Sequence, residues 1–132
     1  MSKLLIATNN RGKVKEIQAL LSDLKVELVT PDLLGVELHV EEHGETYAEN
    51  AALKAVAFSK LTGLLTLADD SGLEVDALGG QPGLYSARFS SKPGATDADR
   101  RAYLLQQLKL HQLQGQAHPW TARFRCVIAL AA

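Results

Sequence analysis

The sequence contains few cysteine and aromatic residues, and its net charge is close to zero. Because Cys126 is the single cysteine, no disulfide can form within the chain, and a reducing compartment is expected. Cys126 stands among apolar residues, so we expect a buried and unreactive thiol rather than a nucleophile. The 14 basic and 15 acidic residues nearly cancel, which gives no sign of a surface for nucleic acids or membranes.

Long apolar runs are also lacking. No segment approaches the roughly 20 apolar residues that a membrane-spanning helix needs, and the apolar start of the chain is too short for a signal peptide. The sequence contains no repeat, linker or low-complexity tract. We therefore expect a cytoplasmic protein in which residues 1–132 form a single domain.

Short apolar runs alternate with segments of helical periodicity. Residues 3–8 and 26–29 predict buried strands, and the apolar spacing over residues 13–21 predicts a helix between them. A strand–helix–strand opening is typical of an α/β fold. Further along, the patterns predict a helix over 45–61, a strand over 64–68, extended segments over 73–78 and 84–89, a helix over 98–113 and a strand over 121–132.

The sequence stops within the last apolar strand. A strand needs a neighbour on at least one side, because its backbone N–H and C=O groups are otherwise left unpaired. We therefore expect an incomplete domain, in which the edge near residues 121–132 is poorly covered or is covered by a neighbouring chain.

The first segment that could bind a ligand joins the first predicted strand to the first predicted helix. Free backbone N–H groups at a helix start, together with the helix dipole, favour an anion, and a lysine adds a full charge. The segment thus predicts a phosphate site, although the P-loop pattern is absent; the alternative is an Asn-rich turn with a solvated lysine. Its residues are Thr8, Asn9, Asn10, Arg11, Gly12 and Lys13.

Two acidic segments form the second part of a possible site. Asp69 and Asp70 follow an apolar strand, and two adjacent carboxylates there repel one another unless a cation such as Mg²⁺ compensates. The alternative is an Asp-rich turn. Glu42 belongs to a cluster with three other glutamates at 41, 45 and 49, and Lys54 follows on the same predicted helix. Taken alone, this cluster is better explained as the solvated acidic start of a helix.

Together these segments resemble the inosine triphosphate pyrophosphatase family along nearly the whole chain. Each motif is modest alone, but their agreement in order argues against chance. The matching motifs are Thr8-x-Asn10-x-x-Lys13-x-x-Glu16, Glu42-x-Gly44, Glu49-Asn50-Ala51 with Lys54-Ala55, Ala68-Asp69-Asp70-Ser71-Gly72-Leu73, Ala77-Leu78-Gly79-Gly80-x-Pro82-Gly83 and Tyr85-Ser86-Ala87-Arg88.

The resemblance implies an α/β fold with an elongated mixed β-sheet flanked by helices, and a homodimer. It implies a hydrolase that converts inosine, deoxyinosine or xanthosine triphosphate to the monophosphate and pyrophosphate with Mg²⁺ as cofactor. The family's C-terminal motifs Gly-Phe-Gly-Tyr-Asp-Pro and Ser-His-Arg do not occur among these 132 residues. The resemblance therefore also implies that the C-terminal part of the family fold is missing.

The resemblance assigns a role to each site residue. The segment Thr8–Lys13 would bind the triphosphate with support from Lys54, and Ser71 would touch the substrate. Glu42 and Asp70 would hold Mg²⁺ directly or through water, and Asp70 would also be the general base. Two other functions stay open: a non-catalytic nucleotide-binding or dimerisation module of the same family, and a related pyrophosphatase for modified pyrimidine nucleotides.

Overall fold

The computed structural model describes residues 2–8, 10–90, 94–113 and 120–132. They group into two compact units, Met1–Asp70 with Val127–Ala132 and Ser71–Cys126, which we call the first and the second unit. The single domain expected over residues 1–132 stays a prediction. In the described ranges, no helix combines the length and the apolar character that crossing a bilayer requires.

The first unit opens with the strand–helix–strand arrangement that the apolar spacing predicts. β1 (Ser2–Ile6) and β2 (Val26–Val29) are parallel neighbours, with Leu4 beside Leu28, and α1 (Arg11–Leu20) connects them. Helix α1 packs on one side of these strands. The cluster formed there contains Leu4, Ile6, Val14, Ile17, Leu21, Leu28 and Leu67.

Helix α2 (Tyr47–Thr62) covers the opposite side of β1. Successive side chains of a strand point to opposite faces, so Leu5 and Ala7 face away from α1 and meet Ala55 and Phe58 of α2. The helix predicted over residues 45–61 is confirmed within two residues at each end. The cluster on this side contains Leu5, Ala7, Val29, Ala55, Phe58 and Ala68.

Helix α2 begins with a side-chain cap, whose contribution to the free energy of unfolding can be measured. The Oγ1 atom of Thr46 accepts the N–H of Glu49 at 3.1 Å, and the Glu49 carboxylate accepts the N–H of Glu45 at 2.7 Å. We expect Thr46→Ala to lower the free energy of unfolding by about 1 kcal/mol, because an N–H group of the first turn loses its acceptor. Urea unfolding measures this difference, with Thr46→Ser as a control that keeps the acceptor. An unchanged urea midpoint for Thr46→Ala would contradict the cap.

Strand β3 (Leu65–Val75) is longer than the sequence pattern predicts. The predicted strand ended at residue 68, whereas the backbone stays extended through Asp69 and Asp70 and beyond. In a sequence, two adjacent aspartates after an apolar run indicate a turn. Here both carboxylates are buried and bonded to other side chains, and these bonds make the two residues compatible with a strand. Strand β3 pairs in parallel with β1, with Leu65 beside Leu4.

Strand β4 (Ala122–Ala131) confirms the last predicted strand and lies at one edge of the sheet, whose order is β2-β1-β3-β4. Large apolar side chains of this strand are exposed, including Phe124 and Leu130. Cys126 is exposed too, which corrects the expectation of a buried thiol. Apolar neighbours in the sequence do not bury a side chain when they themselves lie open on an edge strand.

Two ion pairs of the second unit join the end of β3 to β4. The Nε atom of Arg125 lies 2.9 Å from Oε1 of Glu74, and Nη2 of Arg123 lies 2.8 Å from Oδ1 of Asp76. Their order shows that β4 runs antiparallel to β3, so the sheet is mixed. The hydroxyl of Thr121, and then the charge of Arg123, hold the pKa of Asp76 below its ordinary value.

Between β3 and β4, the described part of the second unit contains helices. Helix α3 (Asp97–Leu113) confirms the prediction over 98–113, but the segment expected to be extended over 84–89 forms the 3₁₀ helix Gly83–Arg88 instead. One cause is local, because the hydroxyl of Ser86 donates to the carbonyl of Gly83 at 2.7 Å, a bond that competes with a strand. The apolar cluster of this unit contains Val75, Ala77, Leu78 and Leu108, with Leu73, Phe89 and Leu104 packed against them.

Candidate functional site

The segment between β1 and α1 caps its own helix. The side-chain oxygen of Asn10 accepts the N–H groups of Gly12 at 3.0 Å and of Lys13 at 3.2 Å. The Oγ1 atom of Thr8 accepts the N–H of Asn10 at 3.2 Å. Two of the N–H groups at the helix start, which could otherwise bind an anion, are therefore bonded to Asn10. Asn9 lies outside the described residues.

Lys13 forms an ion pair with Asp69. Its Nζ atom lies 2.8 Å from Oδ2 of Asp69, and this carboxylate is buried whereas the lysine is partly exposed. A buried carboxylate is destabilising unless it is paired, so Lys13 has a structural partner as well as a position beside the helix start. The lysine that the sequence indicates for phosphate binding is thus held at this place by an acidic residue of β3.

Asp69 and Asp70 are adjacent in sequence, but their carboxylates bond on opposite sides of β3. Asp69 bonds to Lys13 of α1, whereas Oδ2 of Asp70 accepts the Nδ2 group of Asn50 of α2 at 3.3 Å. This follows from the strand, because alternate side chains face alternate sides and the two helices pack on opposite faces. The repulsion that suggested a shared cation is therefore reduced, because the two carboxylates face opposite sides of the strand and Lys13 offsets the charge of Asp69.

Glu42 and Lys54 form the second ion pair of the first unit. The Nζ atom of Lys54 lies 2.7 Å from Oε1 of Glu42, and both side chains are partly exposed. The pair connects the segment before α2 to the helix itself. Glu49 lies in the first turn of α2, as expected for an acidic helix start, whereas Glu45 precedes the helix and donates its N–H to the Glu49 carboxylate.

A cleft of about 250 Å³ brings three of the expected site residues together. They are Thr8 at the end of β1, Glu42 before α2 and Lys54 on α2. His39 also lines this cleft, although nothing in the sequence pattern singled it out. The full lining consists of Ala7, Thr8, Leu38, His39, Val40, Glu42, Lys54 and Phe58.

A second cleft, of about 480 Å³, is also lined by Thr8, together with Arg11 and Lys15 of α1, among others. Thr30 and Asp32 line it where β2 ends, so it stands at the carboxyl ends of two parallel strands, where ligands of open α/β sheets bind. A hydrogen bond from the side chain of Thr30 holds the pKa of Asp32 below its ordinary value, and the charge of Arg11 adds to this.

The acidic residues do not form a ready-made metal cage. Across the described stretches, no three His, Cys, Asp or Glu side chains converge on one point. Mg²⁺ is usually held by one or two carboxylates, with phosphate and water oxygens completing its shell. Asp70 is buried beside a neutral amide, and Glu42 faces the 250 Å³ cleft, so their oxygen atoms fit this ion as donors. Ser71 follows Asp70 on β3 and is the first residue of the second unit.

Sequence reasoning named Asn50 only as part of the motif Glu49-Asn50-Ala51 and gave it no role in the site. Asn50 is only 2% exposed, and its amide bonds both to Asp70 and to the backbone N–H of Gly44. A signal for it exists, because the pattern Thr46-x-x-Glu49 fixes the start of α2. That start places Asn50 in the first turn, on the same face as Lys54 four residues later.

The family of this chain follows from its match to a known family model. Residues 4–132 match the model of the Ham1 family. This chain belongs to the Ham1 family. A dITP/XTP pyrophosphatase of Desulforamulus reducens is 50% identical to it over 129 residues, which are 98% of this chain and 62% of that protein.

Solved structures agree with the assignment to the Ham1 family. A HAM1 protein from Coxiella burnetii matches with a TM-score of 0.85 at 40% identity, over 98% of this chain and 63% of that one. A nucleoside-triphosphatase / dITP/XTP pyrophosphatase from Mycobacterium abscessus matches with a TM-score of 0.75 at 39% identity, over 97% of this chain and 64% of that one. The α/β fold with a mixed sheet is thus shared with Ham1 structures. The chain spans about 62% of the length of the curated relative from Desulforamulus reducens.

Proposed function

We propose that this Ham1 family chain hydrolyses noncanonical purine nucleoside triphosphates, such as those of deoxyinosine, inosine and xanthosine, to the monophosphate and pyrophosphate. The observation that carries the proposal is the cleft in which Thr8, Glu42 and Lys54 stand together. Half of the residues are identical to those of a relative named a dITP/XTP pyrophosphatase, which supports the same substrate class.

Several residues of the first unit would bind different parts of the triphosphate. Lys13 and Lys54 bring positive charge to the triphosphate, and Thr8 offers a hydroxyl to its oxygen atoms. Arg11 adds a further charge from the neighbouring cleft. We also assign Asn10 and Gly12 to the triphosphate site, since they stand at the same helix start. The assignment of Asn9 to that site and of Ser71 to a contact with the substrate follows the family resemblance.

The reaction needs one water molecule and one proton acceptor. The water oxygen forms a bond to phosphorus while the anhydride bond between the α and β phosphates breaks, and pyrophosphate leaves. Asp70 accepts the proton of the attacking water as general base. Holding water and phosphate in place before the reaction lowers the entropy cost of bringing them together.

Glu42 and Asp70 would hold Mg²⁺, whose bound charge would offset that of the transferring phosphate. Lys54 would be released from Glu42 as the triphosphate enters, since the phosphate oxygens compete for the same ammonium group. In this way the lysine passes from a protein carboxylate to the substrate.

We also propose a cytoplasmic homodimer that does not act on nucleic acids or membranes. The family resemblance supports the dimer, and free nucleotides are the substrates that a cytoplasmic enzyme of this class meets. Sedimentation at several protein concentrations tests the dimer, and a mass equal to one chain at all concentrations would contradict it.

The experiment that tests the function is a substrate panel. We expect pyrophosphate release in the presence of Mg²⁺ from deoxyinosine and xanthosine triphosphates, and at least tenfold slower release from deoxyguanosine triphosphate, a preference worth about 1.4 kcal/mol. Equal rates on all purine and pyrimidine triphosphates would contradict the proposed specificity. Nucleotide binding without pyrophosphate release would favour the second candidate, a nucleotide-binding module. The 250 Å³ cleft of the first unit suits this function as well.

The Glu42–Lys54 pair leads to a prediction about the order of binding. Mg²⁺ alone must displace a lysine that lies 2.7 Å from Glu42, so we expect little change in melting temperature with Mg²⁺ alone. With Mg²⁺ and a non-hydrolysable α,β-imido analogue at about 100 times its Kd, the stabilisation is about 2.7 kcal/mol, a rise of several degrees. The melting temperature with Ca²⁺ alone is the control for a general effect of divalent cations. An equal rise with Mg²⁺ alone would contradict the competition at Glu42.

A further inference from the structure

The side-chain amide of Asn50 is a buried link between two parts of the first unit. Its Oδ1 atom accepts the backbone N–H of Gly44 at 2.8 Å, and its Nδ2 atom donates to Oδ2 of Asp70 at 3.3 Å. The orientation of the amide is settled by chemistry, because a backbone N–H can only donate. Oδ1 must therefore face Gly44, and the NH₂ group must face Asp70, which takes the acceptor role.

Gly44 lies so close to Asn50 and Glu49 that there is no room for a side chain at this position. A Cβ atom at position 44 would lie 2.7 Å from Oδ1 of Asn50 and 2.7 Å from Cβ of Glu49, which is too close for either neighbour. Only glycine permits this approach. The loop before α2 is thus pinned to the first turn of the helix at one defined distance.

The same loop is held at a second point. Glu42, two residues before Gly44, pairs with Lys54, which lies one helical turn after Asn50. Residues four apart share one face of a helix, so both attachments come from the same face of α2. Before substrate binds, these two attachments to α2 fix the direction of the Glu42 carboxylate. The attachment through Asn50 also reaches Asp70 and does not depend on Lys54.

We propose that Asn50 is a positioning residue that sets the loop of Glu42 and the carboxylate of Asp70 in one geometry. This inference rests on the proposed hydrolysis, in which these two carboxylates act on the same substrate. A misplacement of about 1 Å in such a site costs on the order of 100-fold in rate. Asn50 contacts neither the attacking water nor the phosphate, and it acts through its bonds to Gly44 and to the Asp70 carboxylate.

Two substitutions separate the two ends of the amide. Asn50→Asp keeps an oxygen atom for the N–H of Gly44 but replaces the donor to Asp70 with a second acceptor, whereas Asn50→Ala removes both bonds. Ser59→Ala is the matched control, because Ser59 is also a buried polar residue of α2 and contributes nothing to the proposed site. Gly44→Ala probes the same link from the loop side.

The measurements are kcat and KM for deoxyinosine triphosphate, and the hydrogen exchange rate of the Gly44 amide. For Asn50→Asp we expect kcat to fall about 100-fold with KM changed less than threefold, and Gly44 exchange to stay within twofold of the wild type. For Asn50→Ala and Gly44→Ala we expect both the loss of kcat and at least tenfold faster exchange at residue 44. Ser59→Ala is expected to leave kcat within threefold of the wild type.

The outcomes distinguish this inference from the proposed function. An active wild type with unchanged kcat in Asn50→Asp would overturn the positioning role and leave the proposed function intact. A loss of kcat equal in Ser59→Ala and Asn50→Ala would also overturn it, because a general structural effect would then explain the data. A wild type without turnover would overturn the proposed function, and the positioning role with it.

Discussion

Asp70→Asn is expected to lower pyrophosphate release from deoxyinosine triphosphate by about 1,000-fold, within the range that a lost general base produces. Asp70 is buried on the α2 side of β3, where Asn50 donates to it. Asparagine has the same shape and still offers an oxygen atom to Asn50, so the fold is expected to persist. What is lost is the negative charge and the ability to take a proton from water.

The control for this prediction is Asp23→Asn. Asp23 is an exposed aspartate in the turn after α1, so the same chemical change there is expected to leave the rate within twofold. Melting temperatures of both variants verify that the chains are folded. A rate for Asp70→Asn within tenfold of the wild type would show that another group takes the proton.

Lys13→Met is expected to have two effects of different origin. The first is on stability, because Asp69 is only 5% exposed and loses its ammonium partner; a hydrogen bond to a charged group contributes about 1.5–3 kcal/mol. The second is on binding, because the triphosphate loses a cation, and we expect KM to rise about 100-fold. Urea unfolding and steady-state kinetics measure the two effects separately.

The double variant Lys13→Met with Asp69→Asn separates the two effects. Asparagine removes the buried charge that the lysine offset, so the free energy of unfolding is expected to return to within about 1 kcal/mol of the wild type. The KM is expected to stay high, because no cation has been restored to the phosphate. If the double variant regained both stability and KM, Lys13 would act only as the partner of Asp69.

Much of the fold was predictable from local pattern. Helix α3 and strand β2 follow from apolar spacing within one residue, because polar residues flank each of them in the sequence. The end of β3 was not predictable in this way. Its two aspartates indicate a turn, and only their partners on α1 and α2, which are distant in sequence, make them compatible with a strand. The same limit explains Cys126, whose exposure depends on the place of β4 at the sheet edge.

The candidate site was predictable in its residue types and not in its connections. The polar turn after β1 and the acidic pair on β3 were visible as patterns. The sequence did not show that Lys13 and Lys54 are each held by a carboxylate, Asp69 and Glu42. Strand alternation contains part of that information, since Asp69 and Asp70 must face opposite helices. It becomes useful only when the face covered by each helix is known.

The proposed hydrolysis is tested most directly by analysing the products that this chain forms from deoxyinosine triphosphate with Mg²⁺. We predict deoxyinosine monophosphate and pyrophosphate in equal amounts, with no diphosphate at any time. Deoxyinosine diphosphate with inorganic phosphate would show that the wrong anhydride bond is cleaved. A folded chain that binds the nucleotide and releases no product would contradict the proposal that these residues form a hydrolase.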